Sequence, residues 1–273
     1  PPRTPLPRDK PTQPVHCPAS APVTMKFLSL ILALTALAPV DARPKKAAKP
    51  PYFVLTGDST VAVAGGWGDG FLSYVKAPAD GINPAKSGAT TASFRADGRW
   101  NTTITAVQET VDTHSPIVTI QFGHNDQKAA SGISLEQFQA NLVALAEEVI
   151  AAGGTPILIT SLTRRAFNGS AVIENLNEHS AAAIAAAESL GIDYLDLNKA
   201  STAYVNAIGK ANADLYNLAP GDRTHLNPSG EKVFGRLVVD LLLKKRKDLR
   251  HYFEKDVALS KKIAAGKYAT GEE

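Results

Sequence analysis

Four short blocks carry the residue types from which an acyl-transfer site is built: Gly57-Asp58-Ser59-Thr60, the loop 83–91 with Gly88, Gly123-His124-Asn125-Asp126, and Asp222-Arg223-Thr224-His225. Ser59 offers a hydroxyl to attack a carbonyl carbon, and His225 an imidazole to take its proton. Asp222, three residues before His225 on the same loop, has the reach to fix the tautomer of that ring. The Ser59 amide, the Gly88 amide and the Asn125 side chain are three N–H donors for a developing oxyanion. Each element alone has a plain structural use: a serine caps helices, and asparagine and glycine make turns. The GxSxG elbow of α/β-hydrolases is absent. Of the other histidines, His114 precedes Ser-Pro, His124 abuts Asn125, His179 sits in a helical run and His251 in the C-terminal segment. His225 therefore pairs best with an acid, and the ordered set implies a serine esterase.

Such a set needs elements that bring distant blocks to one edge. Tyr52 to Thr56, Pro116 to Phe122 and Thr155 to Ser161 are short apolar runs suited to buried parallel strands. Ile192 to Leu197 is a fourth, and the stretch around Ile82 a weaker fifth. A helix is expected from Ser134, with Gln137 completing a capping box and Gly153-Gly154 as the stop. A second is expected over Ala171 to Leu190, and a third from Asn227-Pro228 to about Arg250. Strand and helix in alternation predict a parallel sheet of about five strands covered on both faces. Ser59 and Asn125 each follow a strand, so both fall at the carboxyl edge, where such sheets bind ligands.

The formal net charge of +3 conceals an acidic body: residues 51–243 hold twelve basic and nineteen acidic side chains, while 43–50 and 244–273 are basic. That distribution leaves no phosphate-binding footprint, so no nucleic-acid partner is expected. No HExxH or Cys/His cluster points to a metal, and no cofactor is implied. Met25 is the sole methionine, and it opens a lysine, an apolar run and small residues ending at Ala42. This is the pattern of a secretory signal peptide over 25–42, too short to anchor the chain in a bilayer. Residues 1–24 hold eight prolines and read as an untranslated or disordered leader, 43–51 as a basic linker, and 251–273 as an exposed, partly disordered tail. Asn101 and Asn168 head N-glycosylation tripeptides.

The four blocks resemble those of the SGNH (GDSL-type) hydrolase superfamily over roughly 52–245, a domain expected to end near 250. Trp67 to Phe71, Ala92 to Trp100 and Phe122 to Gln127 are most similar to rhamnogalacturonan acetylesterases. The resemblance implies a flavodoxin-like three-layer α/β/α sandwich and metal-free ester hydrolysis. It implies Ser59 as nucleophile, Asp222 and His225 as its partners, and Ser59, Gly88 and Asn125 as the oxyanion hole. One departure is Ala89, where many relatives carry arginine. The expectation is a secreted, extracellular and monomeric enzyme acting on acetylated polysaccharide, with pectic rhamnogalacturonan as substrate. The rivals are a general or lipase-like acylhydrolase and a non-catalytic carbohydrate-binding relative.

Overall fold

The computed structural model describes residues 49–273, so the expected leader and signal peptide, and most of the linker, lie outside the described residues. Five parallel strands form the central sheet: β1 (Pro51–Gly57), β2 (Asp80–Ile82), β3 (Ser115–Gln121), β4 (Thr155–Ile159) and, beyond a two-stranded hairpin, β7 (Tyr194–Leu195). Their order is β2-β1-β3-β4-β7. The chain therefore leaves β1 for one neighbour and later returns to its other side at β3. That reversal falls between β1 and β3, and the carboxyl ends of strands at such a point are where doubly wound sheets bind ligands.

The sheet is buried on both faces, and its side-chain alternation divides the core in two. Phe53, Leu55, Ile117, Ile157 and Ile159 point into one layer, while Val54, Val118, Ile120 and Leu158 point into the other. Helices α1 (Gly68–Leu72), α6 (Leu197–Asp214) and α7 (Pro228–Lys245) bury Phe71, Val205 and Phe234 in the first layer. Helices α2 (Thr91–Ala96), α3 (Arg99–Thr110), α4 (Leu135–Ala151) and α5 (Asn177–Leu190) bury Phe94, Val107, Leu145 and Ala186 in the second. The molecule is the expected three-layer α/β/α sandwich.

Helix α4 begins at the expected Ser134 cap, whose side chain accepts from the Gln137 amide, but the capping box does not close, because the Gln137 side chain donates to Asn141 Oδ1 one turn on. Helix α7 opens on an Asn227 cap with Pro228 in its first turn, but ends at Lys245 rather than near Arg250. Residues 171–190 are not one helix. Phe167–Asn168 (β5) and Ala171–Val172 (β6) pair as a small antiparallel hairpin, and α5 starts only at Asn177. Gly169, at φ +62°, makes the turn that alanine content alone cannot reveal. Asn168 at this turn and Asn101 on α3 are both exposed.

The C-terminal segment corrects a second expectation. Residues 251–273 are not an exposed tail: α8 (Val257–Ala264) buries Leu259 and Ile263, and Phe253 and Ala269 complete the first layer. Two apolar residues four apart form a face on a helix, and here that face outweighs the surrounding charge. The Tyr216 hydroxyl donates to the Ala269 carbonyl at 2.7 Å, fixing the last turn. Pro51, counted above with the linker, is the first residue of β1. Among the described residues, no helix is long and apolar enough to cross a membrane.

Candidate active site

Ser59 sits in a turn that the end of β1 forces into shape. Gly57 is paired with Gln121 of β3, and a side chain there would meet the Gln121 carbonyl at 2.5 Å and Val61 at 2.6 Å. Only glycine allows that approach. Beneath the turn runs a buried chain of hydrogen bonds. Asp58 Oδ1 accepts from the Thr60 amide at 2.9 Å and hydroxyl at 2.8 Å. The Thr60 hydroxyl accepts from Gln121 Nε2, and Gln121 Oε1 accepts from the Trp67 indole at 2.9 Å. Ser59 itself is 7% exposed, and among the described residues its amide donates to no acceptor.

His225 reaches this serine from the loop before α7. Its Nε2 lies 2.9 Å from Ser59 Oγ, and its Nδ1 lies 2.9 Å from Asp222 Oδ2. Asp222 Oδ1 accepts from the amides of Thr224 and His225, each at 3.0 Å. Burial pushes the Asp222 carboxyl up, but these amides and the His225 ring outweigh it and hold it below the usual carboxylate range. The three side chains thus form one line of hydrogen bonds from hydroxyl to imidazole to carboxylate. Such a line lets a hydroxyl lose its proton as it attacks.

The loop after β3 brings Asn125 to the same edge. Its Nδ2 donates to the Ala89 carbonyl at 2.9 Å, and its Oδ1 accepts from Lys128 Nζ at 2.7 Å. An ammonium on one side and a carbonyl on the other fix the orientation of the amide, and one N–H remains free to donate. The Ala89 contact also fastens Asn125 to the loop of Gly88. That loop is tied to the end of β1, where the Lys86 amide donates to the Gly57 carbonyl at 3.0 Å. Gly88 has a φ of +78° with open space around it, so its glycine serves conformation rather than fit. The structure therefore brings Ser59, His225 and Asp222 into direct contact, and carries Gly88 and Asn125 to the loops beside them.

Arg165 was not visible from sequence. It is fully buried, yet among the described residues it pairs with no carboxylate. Its guanidinium donates to Asn217 Oδ1 at 2.9 Å, to the His225 carbonyl at 2.5 Å, and to the Thr224 and Asp222 carbonyls at 3.4 Å each. Burial lowers it to about 10, which still leaves it charged. One cation thus gathers the backbone that presents Asp222 and His225. Glu231 adds a second tie, accepting from the Gly65 amide at 2.7 Å, while the Leu226 amide donates to the Gly65 carbonyl. A lone arginine or glutamate in a sequence carries no signal of such roles.

A sheet reversal, a hydroxyl–imidazole–carboxylate line and adjacent N–H donors are the arrangement that the SGNH resemblance implies. Residues 55–233 match the GDSL-like Lipase/Acylhydrolase family. The chain belongs to that family and is a carboxylic ester hydrolase. The rhamnogalacturonan acetylesterase RhgT of Bacillus subtilis is 31% identical over 212 residues, 70% of this chain and 89% of its own. A probable rhamnogalacturonan acetylesterase of the same organism, YesY, is 24% identical across 68% of this chain and 90% of its own. Among solved structures, the Bacillus subtilis protein YXIM aligns with a TM-score of 0.62 at 25% identity, over 74% of this chain. The match spans 58% of that longer chain. An acetylxylan esterase from Geobacillus stearothermophilus aligns with a TM-score of 0.53 at 16% identity, over 72% of this chain and 94% of its own, a likeness of fold alone.

Proposed function

We propose that this protein removes O-acetyl groups from plant cell-wall polysaccharide, with pectic rhamnogalacturonan as substrate, by a serine-esterase mechanism. The observation that carries the reading is the line Ser59 Oγ–His225 Nε2 and His225 Nδ1–Asp222 Oδ2, with both contacts at 2.9 Å. Ser59 Oγ attacks the acetyl carbonyl carbon as its proton passes to His225 Nε2. The carbonyl oxygen takes up negative charge and is met by the amides of Ser59 and Gly88 and by Asn125 Nδ2. Collapse of the tetrahedral adduct expels the sugar oxygen, which takes the proton back from His225. Water then attacks the acetyl-enzyme with His225 again as base, releasing acetate and restoring Ser59. Asp222 remains ionised throughout and supports the imidazolium.

The substrate reading draws on the two acetylesterase relatives. Secretion is part of the same proposal and rests on the Met25 to Ala42 pattern; mass spectrometry of the exported protein should find Arg43 at its N-terminus. The activity is tested by measuring acetate released from acetylated rhamnogalacturonan, acetylated xylan and an aryl acetate. The highest kcat/KM is expected on rhamnogalacturonan. Equal or greater efficiency on xylan would overturn the pectic assignment while leaving the esterase chemistry standing.

A further inference from the structure

Asp58 and His124 stand one residue before Ser59 and Asn125, on the turns that follow β1 and β3. Both are buried, at 0% and 2% exposure. Asp58 Oδ1 is occupied by Thr60, but Asp58 Oδ2 and both ring nitrogens of His124 have no hydrogen-bond partner among the described residues. A buried polar atom without a partner is costly to the fold, so three of them in one place call for a cause. Two of the three face each other: Asp58 Oδ2 lies 3.8 Å from His124 Nδ1. A closure of about 1 Å makes that contact a hydrogen bond.

We propose that Asp58 and His124 are positioning residues for the esterase reaction, holding one proton between Asp58 Oδ2 and His124 Nδ1 and so tying the Ser59 turn to the Asn125 turn. The inference rests on the roles proposed above for Ser59 and Asn125. A proton lies on this line in either ionisation state of Asp58. With the carboxylate ionised, the ring N–H donates to it; with the carboxyl protonated, its O–H donates to the ring nitrogen.

The surroundings favour a neutral ring. Burial holds His124 well below the ordinary histidine range, and the nearby Arg164 and Lys128 push the same way, against the Leu162 backbone, which raises it. Burial also lifts Asp58 to about 6, with help from Asp126 and against its Thr60 hydrogen bonds and the His124 backbone. A neutral His124 adds no positive charge where His225 must become an imidazolium. The link therefore fixes the distance between nucleophile and oxyanion donor without opposing the charge that develops. A misplacement of an ångström at such a site is enough to cost about 100-fold in rate.

The test compares the full-length enzyme with His124→Phe, Asp58→Asn and Ser59→Ala on an aryl acetate. Phenylalanine fills the space but removes both nitrogens, so kcat should fall about 10- to 100-fold with KM within about twofold. Asparagine can still donate along the line, so Asp58→Asn should keep kcat within about threefold. The unmodified enzyme should show a protected, low-field proton from this pair in its NMR spectrum, and the signal should persist in His225→Asn. That signal decides the question even where His124→Phe fails to fold. Wild-type kcat in folded His124→Phe, or absence of the signal, overturns the pair. If Ser59→Ala stays active, the serine mechanism itself fails, a separate result.

Discussion

The two halves of the site are held by opposite means. The Ser59 turn is buried and shaped by close approach, with Gly57 pressed on Gln121 and the Asp58–Thr60–Gln121–Trp67 chain beneath it. The Asp222–His225 loop is partly open, with side chains about a third exposed, and it is gathered from behind by Arg165. A nucleophile must keep one direction of attack, so rigid packing suits it. A base must reach the serine, then the leaving oxygen, then water, and hydrogen bonds to its backbone leave its ring accessible. The contrast teaches that one half should fail through packing and the other through loss of a single cation.

The largest break should come from Ser59→Ala, which leaves the scaffold intact but removes the attacking atom. A loss of about 10⁴-fold or more in kcat, with unchanged circular dichroism, is expected. Asn125→Ala should follow, with kcat down about 100- to 1000-fold, the usual effect of losing one oxyanion donor. Steady-state kinetics at saturating ester would check both.

Arg165→Met separates the halves. It should lower stability by about 1–3 kcal/mol by leaving carbonyls without donors, and reduce kcat about 10- to 100-fold by loosening the base. Labelling of Ser59 by a small, fast acylating agent should fall with it. A denaturant melt that matches wild type would show that the guanidinium does not hold the loop.

A pH-dependent effect, with no loss of catalysis, sharpens the nucleophile side. Asp58 is an acid whose value rises on folding from 3.8 to about 6, so the fold favours its protonated form. Its contribution is complete below the unfolded value and is lost as pH rises through about 6, a change of about 3 kcal/mol. Asp222 runs the other way: its lowered value gives stability above 3.8 that is lost as pH falls through the folded value. Melting temperature measured from pH 4 to 7 should therefore decline more in wild type than in Asp58→Asn. Parallel curves would show that Asp58 is not held as the structure describes.

What sequence revealed follows the same division. The Ser59, Gly88, Asn125 and Asp222–His225 blocks were legible because each is a short run whose chemistry is local, and the strands because continuous apolar runs mark buried parallel sheet. Helices α3 and α6 were not, since Trp100 and Val107, or Tyr204 and Val205, become a face only against a sheet already in place. The C-terminal segment misled because its lysines and glutamates outnumber Leu259 and Ile263, which tertiary contact alone buries. Arg165 lies furthest from sequence, because its partners are carbonyls that every residue possesses.

The central claim is that Ser59 attacks the ester under His225. Its most direct test is to react the purified protein with a serine-directed phosphonate and map the adduct by peptide mass spectrometry. One adduct is expected, on Ser59, formed much more slowly in His225→Asn and absent in Ser59→Ala. An adduct on another residue, or ester hydrolysis undiminished while Ser59 is fully blocked, would contradict it.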